Sequence, residues 1–206
     1  MSDLTEEQRR FLTHHRISPN SVFDASGLSH DEWRSEMKNE EKLFAFGVSA
    51  CRNFGHTLRD RSNHCIQCDT KNIAFMQRYV ENGYIYVSAS RTLKMLKVGC
   101  SKDPVARERT INGFAYGGAS DWGKIAHLKC KHAGKVEFEI HSRLSPYLSP
   151  QSYFANGRKT FCKEIFSCGY GLVRKTIVDV AGLEFSKDID QVPDALSRFN
   201  FENQRA

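Results

Sequence analysis

No apolar stretch in this chain of 206 residues approaches the ~20 residues that a membrane-spanning helix requires. The opening MSDLTEEQRR lacks the apolar core of a secretory signal. These two absences speak against membrane and secreted classes. Internal repeats and low-complexity tracts are also missing. The composition, 40% hydrophobic and 26% charged, does not have the low apolar content of long disorder and is that of a folded protein. Seven cysteines is an odd number, and two of them form a CIQC knuckle. That usage favours a reducing, cytoplasmic compartment and a metal over a disulfide framework. The length suits one ordinary domain or two small ones.

The net charge of +6 is modest, but it is unevenly placed. Residues 83–178 hold 16 Lys+Arg against 6 Asp+Glu, whereas residues 1–82 hold 11 against 12 and residues 179–206 hold 3 against 6. A basic middle between near-neutral and acidic flanks suggests a polyanionic partner, most often nucleic acid.

Residues 1–45 read as an N-terminal helical segment. Thr5-Glu6-Glu7-Gln8 and Ser29-His30-Asp31-Glu32 fit the capping box, in which a hydroxyl and a later side chain satisfy orphan amides. Trp33, Met37 and Leu43 then predict a helix over about 30–43. Residues 46–82 have few aliphatics and several metal-ligand types. Such a stretch builds little core by itself, and metal binding would compensate. From Gly83 the pattern turns to short β-rich runs at Tyr84–Val87, Met95–Val98 and Ile125–Leu128. Asp103-Pro104 begins a helix. Val136, Ile140 and Leu144 predict another over about 134–145, and Phe161–Val178 reads as a closing helical segment. Residues 179–206 form an acidic tail containing DIDQVPDA.

Cys51-x4-His56-x8-Cys65-x2-Cys68 supplies two ligand pairs. Zinc takes four such ligands tetrahedrally, and a Cys-x2-Cys knuckle presents two sulfurs to one ion without strain. Four protein ligands leave no open position, so the site reads as structural zinc, with His64 the competitor for the histidine position. Arg52, Arg59, Arg61 and Lys71 surround it as candidate phosphate contacts.

Gly83-Tyr84-Ile85-Tyr86-Val87, Lys97-Val98-Gly99, Arg107, and the helix carrying Glu137 and His141 follow in an order and spacing that resembles the GIY-YIG nuclease superfamily. The resemblance covers about 83–170. It implies an α+β fold, a small antiparallel sheet flanked by helices, and a nuclease domain over 83–178. Tyr86 matches the first tyrosine and Arg107 the helix arginine. Glu137 matches the glutamate that binds Mg2+ or Mn2+. Lys97 stands where the name-giving pattern has tyrosine, which leaves the general base open between Tyr86, favoured, and Lys97. Asn156 is a weak match to a late asparagine, and Glu164 a brace.

The residues make chemical sense alongside that resemblance. Phosphodiester hydrolysis needs a deprotonated water, neutralised phosphate charge and a stabilised leaving oxygen. A helix glutamate can hold one hard divalent ion, and an arginine fork matches phosphate oxygens. Tyr84 shares the strand face of Tyr86 and is a second candidate to orient the water. His141 lies on the face of Glu137, suited to phosphate contact or to packing. Arg91, Lys94, Lys102, Arg109, Arg158 and Lys159 supply a basic rim. The expectation is a metal-dependent endonuclease, with duplex DNA the implied substrate and a homodimer one route to double-strand cutting. An inactive zinc-containing nucleic-acid-binding protein and an RNA-cleaving toxin are the alternatives.

Overall fold

A computed structural model of the protein describes residues 4–155, 157–182 and 189–192. Asn156 and most of the acidic tail lie outside the described residues. The chain divides into two compact units, residues 1–78 and 79–206.

In the first unit, α1 (Glu6–His14) begins on the expected capping box. The Gln8 amide donates to Thr5 Oγ1 at 3.2 Å and the Thr5 amide donates to Gln8 Oε1 at 2.8 Å. The helix α2 (His30–Asn39) begins where the Ser29 amide donates to the Glu32 carboxylate at 2.8 Å. Its Trp33 and Met37, one turn apart, pack with Ala25 and Ala45. Fully burying side chains of this kind stabilises by roughly 1.5–3 kcal/mol each.

The helix stops at Asn39, short of the expected 43. Glu41 takes φ +55° and the Lys42 amide returns to the Met37 carbonyl at 2.8 Å, which closes the helix end. Leu43 then leads into a strand. That strand, β2 (Phe44–Phe46), lies between β1 (Val22–Asp24), parallel to it, and β3 (Arg59–Asp60), antiparallel. The N-terminal segment thus carries the expected short helices and, beside them, the short strands β1 and β2. Strands of two or three residues are too short to show alternation in sequence. Because β2 straddles position 45, residues on either side of the 45/46 boundary share one sheet. A helix not anticipated from sequence, α3 (Lys71–Val80), follows.

The second unit is a five-stranded antiparallel sheet in the order β10-β6-β4-β5-β9. Its strands are β4 (Gly83–Ser90), β5 (Met95–Ser101), β6 (Trp122–Cys130), β9 (Ile165–Phe166) and β10 (Asp190–Gln191). One face carries Ile85, Val87, Leu96, Val98 and Leu128, packed on Ile140 of α5 (Ala133–Arg143), on Leu144 at its C-cap, and on Val173 and Ile177 of α6 (Tyr170–Ala181). Near the other lies α4 (Pro104–Gly113), whose Ile111 clusters with Tyr116, Trp122, Cys162 and Ile165. Asp103 Oδ1 caps α4 by accepting from the Val105 and Ala106 amides at 2.9 and 3.0 Å.

Residues 161–168 are not helical. Phe161 and Cys162 end the hairpin β7 (Gln151–Ala155) and β8 (Arg158–Cys162), and α6 starts only after Gly169. The apolar spacing of Phe161 and Ile165 imitates a helical turn, but Phe161 pairs across the hairpin and Ile165 along β5. Among the described residues, no helix is long and apolar enough to cross a membrane.

Candidate active site and metal site

Alternation along β4 puts Tyr84, Tyr86 and Ser88 on the face away from α5, and the register sets Tyr86 opposite Gly99 and Ser88 opposite Lys97. A Cβ at Gly99 would lie 2.6 Å from Tyr86 Oη and 2.9 Å from Lys97 Nζ. The phenol and the ammonium therefore meet over a position that only glycine leaves open.

Lys97 is fully buried. Its ammonium pairs with the Glu164 carboxylate and lies 5.3 Å from the Tyr86 ring centre and 5.1 Å from that of Tyr116. Burial lowers the Lys97 pKa, but the Tyr86 oxygen and the carboxylates of Glu164 and Glu137 outweigh it and hold the ammonium above its ordinary value. For Glu164 burial pushes upward, and Lys97 wins, leaving the carboxyl below the usual range. Tyr116 donates to Glu164 at 3.2 Å; burial and that carboxylate push its phenol far up. Arg107, half-buried on α4, is driven down by burial but held charged by Tyr86, Glu164 and Tyr116. Two cations thus flank one tyrosine. Tyr86 Oη and the neighbouring Ser88 Oγ are both buried; Tyr86 Oη faces the Arg107 guanidinium, whereas among the described residues Ser88 Oγ has no hydrogen-bond partner, a costly arrangement for a polar atom.

From α5, Glu137 and His141 reach the edge of β5. The Cys100 amide donates to Glu137 Oε1 at 2.9 Å and the Cys100 thiol to Oε2 at 3.0 Å. His141 Nε2 lies 3.1 Å from the Val98 carbonyl oxygen. A carbonyl only accepts, so that nitrogen carries the proton. The His141 ring packs 5.3 Å from Phe166, which is a helix-docking contact. Glu139 turns to the other side of the helix and pairs with Arg143 at 2.9 Å. Tyr84 stands apart from the Lys97 cluster, 5.6 Å from the His127 ring, whose Nε2 lies 3.3 Å from Asp190 Oδ2.

Arg91, Lys94, Lys102, Arg109, Arg158 and Lys159 are all exposed. They are not gathered into one patch. Arg91 and Lys94 sit in the β4–β5 turn, whereas Lys102 follows the far end of β5 and pairs with Glu81 at 3.0 Å. Arg158 and Lys159 begin β8.

In the first unit, Cys51, His56, Cys65 and Cys68 bring four ligand atoms within 4.8 Å of one another. Cys51 and Cys68 sulfurs are 3.7 Å apart, and His56 Nδ1 lies 3.4 and 3.7 Å from the Cys68 and Cys65 sulfurs. Zn–S bonds of ~2.3 Å and a Zn–N bond of ~2.0 Å at tetrahedral angles give ligand edges of about 3.5–3.8 Å, so this group can hold zinc. Gly55, at φ +72°, makes the turn between the first pair. The Phe54 amide donates to Cys51 Sγ at 3.4 Å and holds that thiol down to about 6. Burial, then the crowded sulfurs of Cys65 and Cys51, push Cys68 up to about 11. The histidine of the group is His56, not His64; His64 Nδ1 lies 3.2 Å from Asp60 Oδ2 instead. Arg59 is also buried, donating to the carbonyls of Ser49, His56 and Leu58. It is a structural residue, not a phosphate contact.

Tyr116 and Ser88 are not among the site residues expected from sequence. Tyr116-Gly117-Gly118 reads as an aromatic loop suited to packing or to insertion at a base step, and no local pattern ties Tyr116 to Glu164, 48 residues away. With this geometry in view, the sheet-and-helix unit defines a small α+β domain built around buried charge, joined in sequence to a zinc-capable module. Residues 83–181 match the family model of the T5orf172 domain. No curated protein and no solved structure matches the chain.

Proposed function

We propose that the second unit is a metal-dependent endonuclease of GIY-YIG type acting on duplex DNA. The T5orf172 match suggests nuclease-like, nucleic-acid-related chemistry, and the finer reading rests on the site. The observation that carries it is the Tyr86 hydroxyl, buried between two cations, Lys97 and Arg107. Fixed cations aimed at one point suit the negative charge that develops in phosphodiester hydrolysis.

Tyr86 orients the attacking water and takes its proton. Lys97 is its electrostatic partner: paired with Glu164 and held protonated, it is a poor base and a good fixed charge. Arg107 presents a fork to a non-bridging phosphate oxygen. Glu137 is the residue that would hold Mg2+ or Mn2+, since hydrogen bonds from Cys100 fix its two oxygens in place and one carboxylate suffices for an ion that keeps several waters. When bound, the ion supplies charge neutralisation on the phosphate.

The test is cleavage of supercoiled plasmid and of single-stranded RNA by the full chain, beside Glu137→Gln. Glutamine keeps an acceptor for the Cys100 amide and removes the charge. We expect Mg2+-dependent plasmid cleavage that falls by about 100-fold or more in the variant, in line with loss of one electrostatic stabiliser, with little change in melting temperature. Equal cleavage by the variant would remove Glu137 from the reading. Cleavage of RNA alone would reassign the polymer.

A further inference from the structure

The hairpin β7–β8 has two unlike faces. On one, Tyr153 packs against Tyr116 with ring centres 5.0 Å apart. Gln151 and Cys162 close over Gly117, where a Cβ would meet Ile165 Cδ1 at 2.5 Å and Gln151 Cβ at 3.3 Å. The hairpin is thereby seated on the segment whose Tyr116 holds Glu164. On the other face, alternation places Ser152, Phe154, Lys159 and Phe161 together. Phe154 is 70% exposed and Phe161 65% exposed, although rings of this size are among the side chains that gain most from burial.

Register sets Phe154 opposite Lys159 and Ser152 opposite Phe161, so the two rings are diagonal neighbours. Diagonal positions are ~7–8 Å apart, about two of the ~3.4 Å steps between stacked bases. The Lys159 ammonium lies 5.5 Å from the Phe161 ring centre. Between positions 151 and 163 the chain has Arg158, Lys159 and Lys163 and no acidic residue. Exposed aromatic faces interleaved with cations and no carboxylate complement a polyanion that carries planar groups.

We propose that this face is a base-stacking platform for a single-stranded nucleic-acid segment, with Phe154 and Phe161 taking an unpaired base and Lys159 holding the adjoining phosphate. Only the polymer class rests on the nuclease reading. Stacking on aromatics tolerates any base, so the platform grips a strand without reading its sequence. Being fixed to the Tyr116 segment, it holds that strand in a set relation to the Lys97–Glu164 pair.

The test is anisotropy of a labelled oligothymidine and of a labelled oligouridine, with the DNA duplex as comparison, over a salt series without added divalent ions. Phe154→Ala/Phe161→Ala is expected to weaken single-strand binding by about tenfold or more and to leave the salt slope unchanged. Lys159→Ala is expected to reduce that slope by about one. Phe154→Leu/Phe161→Leu, which keeps apolar bulk should the alanine variant fold poorly, is expected to lose binding similarly, and Phe161→Tyr to retain it. Wild-type affinity in the leucine variant overturns the platform, as does a loss confined to lipid vesicles or to self-association. The relative loss on DNA and RNA tells which strand it holds. Plasmid cleavage is scored separately: ring-dependent binding without cleavage would defeat the nuclease reading and leave the platform standing.

Discussion

A lysine with no exposed surface is costly, because desolvating an ammonium outweighs much of what a single carboxylate returns. Lys97 is therefore weak as a device for stability and informative as a fixed charge beside Tyr86. The pair also makes a defined pH dependence. Glu164 has a depressed pKa in the folded protein, so its contribution is complete above the unfolded value of ~4.3 and is lost as pH falls through the folded value. Lys97 is raised, so its contribution is complete below ~10.4 and is lost as pH climbs through the folded value. Urea melts across pH should show a plateau between those limits. Glu164→Gln should remove this residue's share of the acid limb and, by leaving Lys97 without its carboxylate, lower stability within the plateau by about 3–5 kcal/mol.

Individual elements differ in how plainly they could be read from sequence. The capping residues Thr5, Ser29 and Asp103 mark three helix starts correctly, because a cap is a local contract between a side chain and amides two or three residues on. β4 and β5 were legible from their β-rich composition, and the turn between them is short. The β7–β8 hairpin was not, because its outward residues are aromatic and its apolar periodicity imitates a helix. The Cys-His-Cys-Cys group was legible from spacing, His56 included, and the clustering of the four ligand atoms removes His64 as the competitor. That group sits in a segment with few aliphatics, so metal should be part of its folding free energy. We expect one zinc per chain by metal analysis, and a lower melting temperature with most of that zinc lost in Cys65→Ser/Cys68→Ser. Unchanged zinc in the double variant would refute the site.

For the whole molecule, net charge points to a polyanion but the exposed cations do not form a single track: those in the β4–β5 turn and Lys102 lie toward opposite ends of the strand pair. On the proposed nuclease reading, one Tyr86 site per chain would break one strand per encounter. A plasmid time course at low protein concentration should accordingly accumulate nicked circles before linear product. Linear product appearing first would show that two chains act together.

The Lys97–Glu164 pair spans 67 residues of chain, and Tyr116 reaches the same carboxylate. During synthesis the lysine, both tyrosines and the arginine leave the ribosome well before the acid that neutralises them. A chain ending before Glu164 leaves Lys97 without the carboxylate that pairs with it. Completion of the polypeptide past β8 is therefore a precondition for the buried pair, and the whole cluster is set by its last-made member.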